Sequence, residues 1–211
     1  MKVQVLSSAP RFEFILKHHI IYVPGIGDNR AMGQDYGIYS WRLWGVRGHY
    51  HPVGWADGEA FAPKLERLLG EIDDYLAAGD TVSLLGFSAG ASVVLNAFAE
   101  RRTQLAAVVC ISGKINHPKS AHNYFGRNPA FGESLQLLQT SLVTFSAADK
   151  AKLLTLNPIK DDVVSYQDAV ITGVKQWRIA AVSHVMAIAV SLTFCAPFIV
   201  LHIRQTARKR T

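Results

Sequence analysis

Cysteine is scarce in this sequence: its 211 residues contain two, Cys110 and Cys195. Each lies inside an apolar run far from the other, so the sequence offers neither a disulfide framework nor the spacing of a zinc site. Charged residues are also few, at 18%, whereas hydrophobic residues make up 49%. This composition excludes a disordered chain and predicts a globular one, with a length that suits a single domain over 1–211.

Charge of one sign is concentrated at the C-terminus. The formal net charge is +6, and four cations without an acid stand in the basic tail, 204–211. The rest of the chain is close to neutral and has no basic stripe interleaved with aromatics, so we expect no nucleic acid partner. The first residues lack a continuous apolar stretch of signal-peptide length, which favours a cytoplasmic location.

Short apolar runs that suit buried strands alternate with stretches of helical periodicity. Strands are predicted in the runs "IIYV", "SWRLWGV", "TVSLLGFS", "LAAVVCISG", "KLLTLNP" and "QWRIAAVSH". Helices are predicted over 58–79 and 89–102, and 114–150 reads as a small lid or insertion. This alternation predicts a three-layer α/β/α sandwich with a mostly parallel central sheet, whose active site would lie at the carboxyl ends of the strands.

The stretch "GFSAG" places Ser88 between Gly86 and Gly90, after a buried strand and before a helix. A sharp strand-to-helix turn holds its central residue at positive φ and exposes the hydroxyl, and flanking glycines let the two backbones approach. A serine that merely caps the helix is the alternative, but it does not explain two glycines. We predict that Ser88 is a nucleophile.

A serine hydroxyl needs a base to take its proton and an acid to orient that base. Of the eight histidines, only His184 and His202 follow the last acidic residues, and His184 alone ends a strand-like run. For the acid, Asp161 and Asp162 stand in the loop after the strand "LLTL". The residues alone leave both aspartates open.

These stretches together resemble the α/β-hydrolase family. The motifs "YVPGIGD", "GFSAG", "DDVVS" and "VSH" match that family in kind and order over about residues 18 to 190. The family's acid is commonly followed by valine and proline, as in D-x-x-V-P, which favours Asp161 over Asp162. Ser165 stands where proline is common, so Asp162 stays an alternative, and Asp149 and Asp168 are weaker ones.

The resemblance also implies an oxyanion hole made of two backbone N–H groups. Ala89 would supply one of them. The second donor follows the first central strand in this family, which points to the N–H of Ile26 or, next, of Gly27. Pro24 and Gly25 stand where His-Gly is usual.

Three other features carry weaker functional interpretations. The turn "GIGDNR" has Arg30 where a dinucleotide fingerprint needs a third glycine, so no nucleotide cofactor is expected. His49 and His51 have a metal-like spacing without a third ligand, and we interpret them as part of a polar loop over the cleft, with no metal. Three aromatic groups could line an acyl pocket or pack under loops: Trp41 with Trp44, Tyr50 with Trp55, and Tyr124 with Phe125.

The segment 185–203 contains no charged residue of the types Asp, Glu, Lys or Arg. Its length allows a membrane helix, and the basic tail would suit a cytoplasmic flank. Against a span, Pro197 interrupts the segment and His184 must stay at the sheet. We therefore expect one apolar C-terminal helix on the sheet, with peripheral membrane association as an alternative.

These observations predict a serine hydrolase that cleaves a carboxylic ester through an acyl-enzyme intermediate. A thioesterase or amidase would show the same motifs. The alternative from another class is a hydrolase-fold protein without activity that binds a ligand or a partner. The expected partner is a small-molecule acyl substrate, and the oligomeric state does not follow from the sequence.

Overall fold

The computed structural model describes residues 17–28 and 31–209. The N-terminal segment considered for export, Arg30 and the last two residues of the basic tail lie outside these ranges. One six-stranded sheet has the order β2-β1-β3-β4-β5-β6, and all five pairs are parallel. Its strands are β1 (His18–Val23), β2 (Arg47–Tyr50), β3 (Thr81–Phe87), β4 (Val108–Ile111), β5 (Leu153–Pro158) and β6 (Lys175–Ile179).

Helices cover both faces of this sheet, as the three-layer prediction requires. They are α1 (Gln34–Tyr39), α2 (Phe61–Ala77), α3 (Gly90–Arg101), α4 (His122–Phe125), α5 (Pro129–Leu142), α6 (Ala147–Lys150), α7 (Tyr166–Ala169), α8 (His184–Leu192) and α9 (Ala196–Arg208), with 3-10 turns at Ser40–Trp44 and Pro118–Ala121. The fold class predicted from the sequence is confirmed.

Alternation along the strands divides the core in two. Ile21 and Val23 of β1 pack toward α2, α3 and α5, whereas Ile20 and Tyr22 pack toward α1, α8 and α9. Successive side chains of a strand point to opposite faces, so one apolar run serves both helix layers. Helix α5 belongs to the first layer, because Asn96 of α3 donates to the Ser134 carbonyl at 2.9 Å. That residues 114–150 act as a small lid or insertion stays a prediction.

Two element predictions were wrong. The run "SWRLWGV" forms the 3-10 turn Ser40–Trp44, and strand β2 follows it at Arg47–Tyr50. Trp41 is fully buried there and donates its indole N–H to the Leu192 carbonyl at 2.9 Å. Ile38 is also buried and precedes Trp41 by three residues, so the pattern is helical.

The apolar segment 185–203 forms two helices instead of the expected single helix. Helix α8 ends at Leu192, and the hydroxyl of the following Thr193 donates to the Ala189 carbonyl. Pro197 lies in the first turn of α9, where a residue without an N–H costs no helical hydrogen bond. No single helix within 17–28 and 31–209 is long and apolar enough to cross a membrane, although α8 and α9, bent by 69°, pass together by length and composition.

Buried histidines make the stability of this fold sensitive to acid. Burial, together with the charges of Lys175 and Lys209, lowers the pKa of His202 from 6.5 to about 4. Burial, together with Arg204 and His19, lowers the pKa of His18 from 6.5 to about 4 as well. Between pH 6.5 and about 4 the unfolded chain binds protons at these rings and the folded chain does not. The contribution of these two histidines to the free energy of unfolding should therefore be fully present above pH 6.5 and should be lost as the pH falls through this window.

His202 allows a direct test of this acid sensitivity. Its Nε2 has no hydrogen-bond partner among the described residues, and the ring packs edge-on to Trp177 at 5.3 Å. We expect His202→Leu to raise the free energy of unfolding by about 1 kcal/mol at neutral pH. It should also weaken the decline toward pH 4 in urea unfolding. An unchanged decline in the variant would contradict this assignment.

Candidate active site

Ser88 occupies a sharp turn between β3 and α3. Its φ is 51°, in the left-handed region that residues with a Cβ rarely adopt. Backbone bonds hold the turn: the Ser88 N–H donates to the Ile111 carbonyl at 3.0 Å, and the Ser88 carbonyl accepts from the N–H groups of Lys114 at 3.0 Å and Ala91 at 3.1 Å. Ala89, not Ser88, is the N-cap residue of α3. Helix capping therefore does not explain the serine.

Close packing explains both glycines around Ser88. A Cβ on Gly86 would lie 2.5 Å from the Val94 side chain, and one on Gly90 would lie 2.2 Å from the Val23 carbonyl oxygen. Side chains cannot approach backbone atoms so closely without displacing them. The glycines at these two positions let α3 begin directly against β1 and β3.

Asp161 and His184 meet at the ends of two neighbouring strands. Asp161 follows β5, His184 follows β6, and the His184 Nδ1 lies 3.1 and 3.0 Å from the two carboxylate oxygens of Asp161. Both side chains are buried, at 8% and 9% exposure. Since a carboxylate only accepts, Nδ1 carries the hydrogen, which leaves Nε2 as the acceptor.

The charged state of Asp161 is stabilised by its surroundings. Burial alone would raise the pKa of this carboxyl, but the His184 ring and the N–H groups of Val163 and Val164 donate to it and outweigh burial. The net effect holds the pKa of Asp161 below its ordinary value. The group beside His184 is therefore a carboxylate at neutral pH.

Asp162 has a different position from its neighbour. Its carboxylate accepts the backbone N–H of His184 at 2.8 Å, at the N-terminus of α8. A carboxylate at this end of a helix satisfies a free N–H and complements the helix dipole. Asp161 contacts the imidazole and Asp162 the main chain, a distinction that the sequence left open.

Ser88 and His184 line one cavity of about 720 Å³ at the carboxyl ends of the strands. Most of its lining is apolar, with Phe87, Phe131 and Leu192 among the larger side chains. The Phe87 ring also packs on the His184 ring, with centroids 4.7 Å apart. No hydrogen bond joins Ser88 to His184 among the described residues; such bonds often tighten only with substrate bound.

The turn after β1 presses against Ser88. A Cβ on Gly25 would lie 2.8 Å from the Ser88 Cβ and 3.3 Å from its Oγ. Ile26 and Ala89 both line the cavity, at the positions predicted to donate backbone N–H groups. Asp28 anchors the turn by accepting the N–H groups of Val53 at 2.5 Å and Gly54 at 2.8 Å. Sequence reasoning gave Asp28 no role of its own, although it ends the motif "YVPGIGD".

The weaker acid candidates serve elsewhere. Asp149 caps α6 together with Ser146. Asp168 accepts from the Lys114 ammonium at 2.8 Å and lies 2.7 Å from the His117 Nδ1. Lys114 and Asp168 both border the cavity, so an ion pair lies in its mostly apolar wall. This pair was also missed, because 54 residues of chain separate two common residue types.

The sequence suggested that His49 and His51 belong to a polar loop over the cleft, and the structure places them elsewhere. His49 lies in β2, where its ring contacts His19 at 2.8 Å and Tyr75 of α2 at 3.2 Å, and His51 contacts Glu71 at 2.7 Å. Both rings face α2, because residues 49 and 51 are two positions apart on extended chain and therefore point to the same side of the sheet. Of the six aromatic residues considered for the pocket, Tyr124 lines the cavity. Across 17–28 and 31–209, no three His, Cys, Asp or Glu side chains could share a metal ion.

The architecture is shared with solved structures of hydrolytic enzymes. A structure described with LipS and LipT, two metagenome-derived lipolytic enzymes, has a TM-score of 0.63 at 11% identity and covers 90% of this chain and 94% of its own. Est1E from Butyrivibrio proteoclasticus has a TM-score of 0.61 at 15% identity, covering 90% and 89%. Human thioesterase 2 has a TM-score of 0.53 at 9% identity, covering 91% and 98%. No family model matches the sequence, and no curated protein is detectably similar to it.

Proposed function

We propose that this chain, which has the α/β-hydrolase fold, is a serine hydrolase that cleaves a carboxylic ester through an acyl-enzyme intermediate. One observation carries the proposal: Ser88 and an Asp161-bound His184 border the same apolar cavity. Similarity of architecture to lipolytic enzymes, an esterase and a thioesterase supports hydrolysis of an ester or related acyl bond. A location in the cytoplasm stays a prediction.

The proposed reaction proceeds by two acyl transfers. Nε2 of His184 takes the proton of Ser88 as Oγ bonds to the ester carbonyl carbon, and the N–H groups of Ala89 and Ile26 donate to the resulting oxyanion. The bond to the leaving alkoxide breaks, and His184 returns the proton to it. Water then attacks the acyl group in the same way and frees Ser88. Asp161 keeps the ring oriented and balances its positive charge.

The shape of the cavity favours a substrate with an apolar acyl group. Its volume lies within the range of small-molecule sites, and apolar side chains dominate its walls. An open cavity against the Ser88 turn also favours catalysis over the alternative of a scaffold without activity, in which the serine would be occluded. Thioester and amide substrates remain alternatives, because the same residues would act on each acyl bond.

A fluorophosphonate probe and matched acyl substrates test the proposal. We expect the folded protein to be labelled covalently and to hydrolyse p-nitrophenyl esters faster than the corresponding anilides, because an alkoxide or phenoxide leaves more easily than an amine. A matched thioester tests the thioesterase alternative. Failure of the folded protein both to label and to turn over any member of the panel would favour the scaffold without activity.

A further inference from the structure

Two neighbouring segments expose large apolar side chains to solvent. One runs through α1 and the 3-10 turn after it, and the other through α8 and α9. We call this set the apolar surface: Met32, Tyr36, Leu43 and Trp44 from the first segment, and Val185, Phe194, Phe198 and Leu201 from the second. Leu43 and Phe194 are each 80% exposed. Soluble monomers rarely expose so many large apolar groups together, and such patches mark interaction sites.

The two segments lie side by side on the same face of the sheet. Gly37 of α1 packs against Leu192, the Trp41 indole donates to the Leu192 carbonyl, and Arg204 donates to the Gly45 carbonyl at 2.8 Å. Within the second segment, Phe194 lies in the turn before α9, and Phe198 and Leu201 stand three residues apart on one face of that helix. The apolar surface is therefore a continuous feature of this helix layer.

A basic pocket adjoins the apolar surface at the opposite end of the strands from Ser88. It encloses about 680 Å³ and is lined by the cations Lys17, Arg42, Arg47, Arg204 and Arg208, together with His18. No carboxylate among the described residues lines it. Arg42 directly precedes Leu43, and Arg204 follows Leu201 by one helical turn. Exposed apolar side chains and cations thus occur along the same two segments.

We propose that this face docks peripherally on a bilayer surface that contains anionic lipid. A bilayer offers what the two features need together: phosphate groups for the basic pocket and an apolar boundary layer for Phe194, Phe198 and Leu201. The inner sides of α8 and α9 stay packed on the sheet through Ala187, Ile199 and Ile203, so the helices lie at the interface and do not span it.

Docking in this orientation would also place the cavity near the lipid. Met32 and Val185 belong to the apolar surface and line the cavity as well. An acyl chain could pass from the bilayer to Ser88 without crossing bulk water. This step rests on the proposed function, whereas docking itself does not.

Vesicle sedimentation tests the docking with the full chain. We expect binding to vesicles of phosphatidylcholine mixed with phosphatidylglycerol, weaker binding to phosphatidylcholine alone, and loss of binding at high salt. Arg42→Gln with Arg47→Gln should weaken partitioning by about 25-fold, about fivefold for each cation. Phe198→Ser with Leu201→Ser should weaken it at least about tenfold.

Matched controls come from the opposite helix layer. Leu137→Ser with Val143→Ser removes exposed apolar groups of α5, and Lys119→Gln with Arg127→Gln removes two cations near α4 and α5. These pairs should change partitioning less than twofold. Every variant should hydrolyse a short soluble ester at the wild-type rate, since none of the residues lines the cavity. A wild type that binds vesicles but does not hydrolyse the ester would contradict the proposed hydrolase and leave the docking proposal intact.

The docking proposal would be overturned if the protein did not bind anionic vesicles at low salt, or if the control pairs weakened binding as much as the test pairs. Binding of soluble inorganic phosphate in the basic pocket, without any vesicle binding, would also contradict it. Release from vesicles by detergent alone would indicate insertion instead of peripheral docking. Dimerisation that is lost in Phe198→Ser with Leu201→Ser, without vesicle binding, would assign the apolar surface to a second copy of the chain.

Discussion

Ser88→Ala should reduce kcat for p-nitrophenyl butyrate by at least about 10⁴-fold and abolish labelling by a fluorophosphonate. Without the hydroxyl, no acyl-enzyme can form, and only the cavity and the oxyanion donors remain to assist water. Alanine retains the Cβ at φ 51°, so the strain of the turn is unchanged. The variant should unfold at the same urea concentration as the wild type.

Ser88→Gly separates strain from chemistry at the same position. It should be as inactive as Ser88→Ala, yet its free energy of unfolding should rise by about 1 kcal/mol, because glycine adopts positive φ without a Cβ clash. The measurement is urea unfolding of the three proteins in parallel, beside their kcat values. Wild-type turnover in either variant would remove Ser88 from the reaction.

Asp161→Asn should lower kcat by about 10⁴-fold with the protein still folded. The carboxylate accepts from the His184 Nδ1 at 3.0 Å, and an amide there can turn its NH₂ toward the ring and favour the wrong tautomer. The stabilising charge on the protonated ring is lost as well. The assay is kcat measured against pH. If His184 kept its tautomer in the variant, its pH profile would match that of the wild type, which would contradict this prediction.

Asp162→Asn is the matched control, one residue along the chain. Its carboxylate accepts the His184 main-chain N–H, and an amide oxygen can still accept that bond. We expect a kcat within about tenfold of the wild type and a slightly lower melting temperature. The reverse ranking, with Asp162→Asn the more damaging substitution, would exchange the roles of the two aspartates.

The sequence predicted the sheet and the elbow because short-range patterns encode them. A buried parallel strand reads as an apolar run. Gly86 is required by contacts within one strand-turn-helix unit, and Gly90 by the close approach of the neighbouring strand β1. The placement of His184 beside the aspartates followed from chain order and strand ends. In each case the deciding interaction lies close to the motif, or the fold brings all strand ends to one edge.

The features that sequence did not predict depend on distant partners. Trp41 looked like a strand residue because Leu192, which accepts its indole N–H, is 151 positions away. The choice between Asp161 and Asp162 depends on which carboxylate turns toward a ring 22 or 23 residues later. Lys114 and Asp168 pair across two loops. The spacing of Ile38 and Trp41 indicates a helical turn, but no local pattern indicates any of these distant partners.

The parallel order of the sheet has a consequence for when activity returns during refolding. Ser88 follows β3, Asp161 follows β5 and His184 follows β6, an edge strand that pairs with β5. His18 of β1 pairs with Thr81 of β3, 63 positions later, and parallel pairing across such a separation is slow to form. Hydrolysis needs the ends of β3, β5 and β6 together, so turnover should return during refolding only after the fluorescence of buried Trp55 and should report when the sheet is complete.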